Sequence, residues 1–346
     1  MIDTSPVNES LKNASEFARS IPSMAEGIAL CSAFALSSVL IITGNLLTLV
    51  LFAVSKALQK KSFFLIMNMA FADLMLGAIT LPFYIYSVGG FLQLWTVRYG
   101  LDHLAFQIFF TGFDTMFVFG SYLSAAFMSC ERFHAVYWPF KHRSLSTKTY
   151  RIAIFILWTL AVCLSTIVTL LSFFISFESG LYVFIPVLLS LTIIMCVCNI
   201  GIWRGLQHQR VTSHHQNRAL RRKRLTKTLL LVSMLALLCW LPFFIMNVLY
   251  YLTKTTIPWK FYFMVNILNY SNSFVNPVVY ALRIPEFQQA LRSCCRKGIA
   301  TIQTEQIEKK TQTAASATSE IELRILSLNL AYQQEEFEQE YMESHF

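Results

Sequence analysis

The chain has 346 residues, of which 55% are hydrophobic and only 14% are charged. A soluble domain of this size usually carries about a quarter charged residues, so the composition excludes an ordinary soluble protein. A net charge of +9 would suit a nucleic-acid partner, but the Lys and Arg residues collect in the loops between apolar segments. Because membrane proteins set their orientation in this way, we expect a membrane protein and no nucleic-acid partner.

Seven apolar segments follow one another along the chain, and each can cross a hydrocarbon core of about 30 Å as a helix. Lipid offers unpaired backbone groups no partner, so every segment is predicted to be helical. The predicted spans, numbered one to seven, cover residues 27–55, 62–92, 103–136, 150–172, 176–203, 225–252 and 261–282. The pattern predicts an all-α fold, a seven-transmembrane helix bundle.

A short amphipathic stretch that includes Phe287 and Leu291 follows span seven. Its apolar residues predict a helix that lies on the membrane surface. It ends in Cys294 and Cys295, a pair typical of palmitoylation sites.

The basic loops predict how the chain is oriented in the membrane, and the chain divides into an N-terminal tail, a helix domain and a C-terminal tail. Lys and Arg are dense after spans one and three and before span six, and this side is predicted to be cytoplasmic. An N-terminal tail, 1–26, is then extracellular, and Asn8 and Asn13 in it begin glycosylation sequons. The seven-helix domain is predicted over 27–297, and a polar, disordered cytoplasmic tail over 298–346.

Every span carries a short motif, and the set resembles the signature of rhodopsin-like (class A) G protein-coupled receptors. The motifs are Gly44-Asn45, Met69-Ala70-Phe71-Ala72-Asp73, Glu131-Arg132-Phe133, Trp158, Pro186, Cys239-Trp240-Leu241-Pro242 and Asn276-Pro277-Val278-Val279-Tyr280. The resemblance covers nearly the whole apolar chain. It implies a plasma-membrane receptor that binds a small extracellular ligand and activates a heterotrimeric G protein, with arrestin, a receptor kinase and membrane lipid as further partners.

Asp73 is an acidic residue at bilayer depth, where an isolated charge is costly. The resemblance gives it a polar cluster and a sodium ion, which acts as an allosteric modulator in similar receptors; no other cofactor is expected. The other members of the predicted cluster are Asn45, Ser121, Asn272, Ser273 and Asn276. The alternative is a protonated Asp73 in a water-filled polar network, since buried polar groups need partners in either case.

Arg132 and Glu131 end span three, and by resemblance Arg132 engages the G protein when span six swings outward. Asn276, Pro277 and Tyr280 belong to the same switching set. The acidic residue that often holds the arginine from span six is replaced by Arg222. This departure predicts raised basal signalling.

Two other departures affect the ligand site and the packing around it. The Cys expected at the top of span three is Gln107, and spans four and five are joined by a very short loop without Cys. This loop resembles that of melanocortin receptors and predicts a pocket open from above.

Ala236 stands where a bulky aromatic is common and Tyr122 where a smaller residue is common, which indicates exchanged volume in one packing layer.

Asp114 lies eighteen residues before Arg132, which is five helical turns or about 27 Å of rise, so it opens to the extracellular half. Its position resembles that of the ammonium-binding aspartate of biogenic amine receptors. The resemblance adds further ligand-binding residues, namely Trp240, Phe243, Phe244, Asn247, Asn266 and Tyr270. An anion with aromatic walls suits a protonated amine. The alternative is a neutral Asp114 that is hydrogen-bonded to Tyr270.

Glu178, at the start of span five, is a second acidic candidate for the ligand site. Facing inward, it would favour a diamine or a basic peptide side chain. Facing the water interface, it would have no role in binding.

The sequence argues against several functions other than an amine receptor. Tyr270 occupies the site of the Schiff-base lysine of opsins, so retinal is excluded. The chain has no hydrolase, metalloprotease or phosphate-loop motif, so no enzyme is expected. Receptors for a nucleoside, peptide or lipid, a receptor that does not couple, and a transporter remain alternatives. A transporter would usually show internal repeats.

Overall fold

The computed structural model of the chain describes residues 23–97, 101–208, 216–253, 257–296, 306, 309, 311 and 323–332. In these ranges the regular secondary structure is helical and no strand occurs, which confirms the all-α prediction. Contacts divide the chain into two compact units, Met1–Ala290 and Leu291–Phe346. The first unit contains the helix bundle.

The long helices of the bundle correspond to the seven predicted spans. In order, they cover Met24–Val54, Phe64–Phe91, Leu101–Tyr137, Thr147–Phe174, Phe177–His208, Gln216–Thr253 and Trp259–Arg283. The largest difference is in span six, which begins at Gln216 rather than at Leu225. Hydropathy marks only the apolar part of a helix, whereas the Arg, Lys and Ala residues before Leu225 are good helix formers and extend it.

Six of these helices are long and apolar enough, within the described residues, to cross a membrane. Span seven falls outside that group because it carries many amide and hydroxyl side chains. Its buried polar residues are Asn266, Asn269, Asn272, Ser273 and Asn276. They lie inside the bundle, where span seven packs against spans one and six.

The outer surface of the bundle is apolar. Phe155, Ile156 and Val197 are 72%, 57% and 61% exposed, and many other large apolar side chains also point outward. Such a surface needs lipid rather than water as its solvent, and only internally hydrogen-bonded helices are stable there. The chain is therefore a multi-pass membrane protein.

Span two is not a regular helix along its whole length. A π-helical turn, Leu76–Thr80, lies between Asp73 and Pro82. A π turn inserts an extra residue into a helical turn and rotates the segment beyond it. Beyond the turn, the ring of Tyr84 lies 5.0 Å from that of Phe34 and 5.5 Å from that of Tyr270.

A buried polar contact joins spans two, three and four. The Trp158 indole N–H donates to Asn68 Oδ1 at 2.9 Å, and Asn68 Nδ2 donates to Ser124 Oγ at 2.7 Å. Asn68 and Ser124 are 6% and 0% exposed. One amide therefore satisfies groups on two neighbouring helices.

Asn68→Ala should destabilise the bundle by about 1–2 kcal/mol, because the half-buried Trp158 indole N–H loses its acceptor. Thermal unfolding of the purified protein in detergent would show this as a lower melting temperature. Thr159→Ala is a matched control, because the Thr159 hydroxyl is exposed and bonds only within its own helix. An equal effect of both substitutions would contradict a role for the Asn68 contact.

A further helix over 285–296 follows span seven after Ile284. The Phe287 ring lies 6.1 Å from that of Phe63 and 5.7 Å from that of Tyr280. The apolar residues of its first part therefore pack against the bundle. In the second unit, Cys294 and Cys295 are exposed and residues 323–332 form an exposed helix.

Candidate functional site

A cavity of about 510 Å³ opens among spans three to seven on the Asp114 side of the bundle. Asp114 lines it, as do Phe243 and Asn247 from span six. Span five adds Phe184 and Leu181, so most of the wall is apolar. A mostly apolar pocket with a few convergent polar groups is typical of a small-molecule site.

Asp114 is the acidic side chain of this cavity. The Tyr270 hydroxyl donates to its Oδ1 at 3.5 Å, a long hydrogen bond. Among the described residues, no Lys, Arg or His side chain forms an ion pair with Asp114. A partly buried carboxylate of this kind can accept a cation from a ligand.

Five of the other predicted ligand residues, Trp240 among them, do not line this cavity. Tyr270 lies behind Asp114 as its hydrogen-bond donor. Asn266 donates to the backbone oxygen of Tyr262 at 2.8 Å and supports a residue that does line it. Glu178 is half-buried, and its neighbours Phe177 and Gly180 line the cavity instead. Phe244 is half-buried and follows Phe243 on span six.

Trp240 lies deeper in the bundle and is 7% exposed. Its ring meets that of Tyr122 edge to face at 4.5 Å. The Tyr122 hydroxyl and Thr192 Oγ are 2.5 Å apart, so this tyrosine links spans three, five and six. Ala236, also on span six, is 4% exposed.

The cavity also contains residues that sequence reasoning missed. Thr111 and Thr115 lie on the Asp114 face of span three, and Tyr250 and Tyr262 contribute aromatic rings from spans six and seven. Thr111 lies three positions before Asp114, a spacing that places two side chains on one helix face. This spacing could have indicated Thr111 as a cavity residue. Tyr262 had no comparable signal, because its position depends on how spans six and seven pack.

The connection between spans four and five is very short. Span four ends at Phe174 and span five begins at Phe177, which leaves two residues between them. All eight cysteines are free thiols, so no disulfide holds a loop over the cavity. Cys130 and Cys198 approach each other, with their Sγ atoms 3.7 Å apart, but lie between spans three and five.

Asp73 lies at the centre of a second polar cluster and is fully buried. Its Oδ1 accepts from Ser121 Oγ at 2.9 Å and from Ser273 Oγ at 2.8 Å, and its Oδ2 accepts from Asn276 Nδ2 at 3.0 Å. Asn45 joins through the backbone, because its Nδ2 donates to the Ser273 carbonyl at 2.9 Å. Asn272 is buried but makes no hydrogen bond to Asp73.

The third cluster surrounds Glu131, at the opposite end of span three from Asp114. Both carboxylate oxygens of Glu131 accept from Arg132, and Oε1 also accepts from the Tyr150 hydroxyl at 2.7 Å. His142 Nε2 lies 2.6 Å from the same oxygen. Three side chains therefore share one buried carboxylate. Ser129 Oγ and Ser233 Oγ, 3.0 Å apart, form a neutral contact between spans three and six.

Some of the predicted residues cannot be placed in these clusters. The side chain of Arg222, and the sequon residues Asn8 and Asn13, lie outside the described residues. Pro277 interrupts span seven three residues before Tyr280, whose ring is fully buried.

Comparison with known proteins places this chain in a family. The sequence profile of the 7 transmembrane receptor (rhodopsin family) matches residues 44–280. Adenosine receptor A3 of Ovis aries is 23% identical over 73% of this chain and 86% of its own. Trace amine-associated receptor 13c of Danio rerio is 28% identical over 72% of this chain and 80% of its own. Somatostatin receptor type 5 of Rattus norvegicus is 30% identical over 40% of this chain and 38% of its own.

These relatives are receptors rather than enzymes, and the profile match includes all three clusters, from Asn45 to Tyr280. The chain belongs to the rhodopsin family of seven-transmembrane, G protein-coupled receptors.

Proposed function

We propose that the receptor binds a protonated amine in the cavity at Asp114 and in response activates a heterotrimeric G protein. The observation that carries this proposal is a carboxylate in an apolar cavity without a cation from the described part of the protein. A ligand ammonium would neutralise Asp114, and the rings of Phe243, Tyr250 and Tyr262 would surround it. Two of the similar proteins bear the names of amine receptors, a trace amine-associated receptor and an adrenergic receptor.

A nucleoside or a peptide is the second candidate ligand class. The similarity to adenosine and somatostatin receptors favours it, together with the cavity left open by the two-residue connection between spans four and five. A nucleoside is neutral and would leave Asp114 without a counter-ion. The charge of the ligand therefore separates an amine from a nucleoside, although not from a basic peptide.

The decisive test is a screen of paired compounds on the expressed receptor. Each pair consists of a primary amine and its neutral hydroxyl analogue, with nucleosides and basic peptides in parallel. The readout is ligand-dependent nucleotide exchange on the G protein. We expect responses to amines but not to their neutral analogues. Responses confined to nucleosides would overturn the amine proposal, and no exchange with any G protein would favour a receptor that does not couple.

We further propose that the Arg132 side of the bundle is cytoplasmic. Lys and Arg crowd the loops on this side, and the basic stretch that ends at Lys227 would meet the G protein with Arg132. The N-terminus is then extracellular at the plasma membrane, where Asn8 and Asn13 would be glycosylated. The tail is cytoplasmic, where the exposed Cys294 and Cys295 would be palmitoylated. Arrestin and a receptor kinase would act on the same side.

The cluster around Asp73 is proposed as a sodium site. Its donors suit a hard cation, because a carboxylate and two serine hydroxyls converge. Among the described residues, Asn45 Oδ1 and Asn272 Oδ1 are buried without a hydrogen-bond partner, so two further oxygens are available as ligands. A bound ion would supply positive charge that neutralises Asp73 and favours the resting arrangement of the bundle.

Asp73→Asn should abolish the sodium dependence of ligand affinity, because a neutral amide cannot compensate the ion. Agonist affinity of the wild type should fall by a factor of about 5–150 between sodium-free and sodium-containing buffer, the usual range of allosteric coupling. The variant should show less than about a twofold change. Potassium chloride at equal ionic strength is the control. Equal sodium dependence in both proteins would exclude the site.

A further inference from the structure

Two adjoining cavities lie at the Arg132 end of the bundle, outside the three clusters described above. The first, of about 560 Å³, is lined by spans five and six and by Arg283 at the end of span seven. The second, of about 510 Å³, is lined by spans six and seven and the start of the helix over 285–296. Both linings include Lys227 and Arg283, so the cavities meet at these two side chains.

The first cavity is apolar and faces the outside of the bundle. Ile200 and Trp203 of span five are 54% and 59% exposed, and Met234 of span six is 48% exposed. Leu231 and Leu237 complete this wall. A hydrocarbon chain could enter from the surrounding bilayer without crossing a polar barrier.

One polar group interrupts the apolar wall. Asn199 is 3% exposed, and among the described residues its Nδ2 donates one hydrogen bond, to the Met234 sulfur at 3.8 Å, a weak acceptor. Among the described residues, its Oδ1 has no hydrogen-bond partner. Buried amides are normally hydrogen-bonded. An occupant with a polar group at this depth would satisfy Asn199.

The second cavity is basic. Lys223, Arg224, Lys227 and Arg283 line it, and Arg204 lies at the edge of the first cavity. Within the described ranges, none of these five side chains forms an ion pair with a carboxylate. Like charges gathered in this way repel one another, so the arrangement favours an anion with several negative charges.

We propose that the two cavities form one binding site for a phosphoinositide, an inner-leaflet lipid with several phosphates on its headgroup. The headgroup phosphates would lie between Lys227 and Arg283, and one acyl chain would lie along Ile200 and Met234. The ester region between them falls near Asn199. A lipid with a single negative charge would leave most of the basic groups uncompensated.

The test uses the purified full-length receptor in phosphatidylcholine nanodiscs, without ligand or G protein. Binding of fluorescent phosphatidylinositol bisphosphate is measured in competition with unlabelled phosphatidylserine at matched total charge. Each cationic contact contributes about a fivefold gain in affinity. We expect Lys227→Gln with Arg283→Gln to weaken binding about 25-fold, whereas phosphatidylserine should compete poorly.

The matched control, Lys148→Gln with Arg151→Gln, removes two exposed charges from span four at the Arg132 end of the bundle. It should weaken binding less than about fivefold. Ile200→Trp, which fills the apolar cavity without changing charge, should also weaken binding. Equal losses in the site and control variants would reduce the effect to general surface attraction and overturn the proposal. Full binding by Ile200→Trp would overturn the placement of the acyl chain. Neither result depends on the amine proposal, because no ligand is present.

Discussion

Asp114→Asn should reduce the potency of an amine agonist about 100-fold or more. The substitution keeps the shape of the side chain and the space of the cavity but removes its charge. A ligand ammonium would then be buried without a counter-ion, and leaving one partner of a buried pair uncompensated costs about 3–5 kcal/mol. Ligand-dependent nucleotide exchange and competition binding would measure the loss at equal surface expression.

Thr111→Val is a suitable control for this prediction, because Thr111 lines the same cavity on the same helix and carries no charge. Its effect should stay below about tenfold, the range of one neutral hydrogen bond. Tyr270→Phe should also have a small effect, because its hydrogen bond to Asp114 is long. If Asp114→Asn leaves amine potency unchanged, Asp114 is structural and the ligand is not held by its charge.

Glu131→Gln should raise ligand-free signalling about five- to thirtyfold. Both oxygens of Glu131 accept from Arg132, and an amide can replace only one of these acceptors, without the charge. Hydrogen bonds to a charged group are roughly 1 kcal/mol stronger than neutral ones, so the resting contact would weaken by about 1–2 kcal/mol. A ligand-free population shift of that size is measurable as basal nucleotide exchange in membranes.

Two variants show whether the released arginine causes the increase. Tyr150→Phe removes one hydrogen bond to Glu131 but leaves the ion pair, so its increase should be smaller. Adding Arg132→Gln to Glu131→Gln should return exchange to background, because the group proposed to meet the G protein is then absent. Unchanged basal exchange in Glu131→Gln would show that the contact does not hold the resting state.

The packing around Trp240 illustrates how far sequence reasoning reached. The sequence predicts an exchange of volume between Ala236 and Tyr122, because both positions depart from the family pattern. The hydrogen bond between Tyr122 and Thr192 could not be predicted from the sequence, because Thr192 lies on another helix and no spacing relates the two residues. Likewise, Asp73 could be assigned a polar cluster by resemblance, but only the packed helices show Ser121, Ser273 and Asn276 at its oxygens.

The amino-acid sequence by itself determined the seven helices and the depth of each unusual residue. This follows because the bilayer requires long apolar segments with every backbone group paired, and the rise of a helix then fixes how far apart Asp114 and Arg132 lie. The tertiary structure alone decided which side chains from different helices meet. Tyr262 at the cavity, Tyr150 and His142 at Glu131, and Lys227 beside Arg283 depend on the rotation and packing of neighbouring helices. Small side-chain contacts set that packing, and apolar periodicity along a single segment does not encode it.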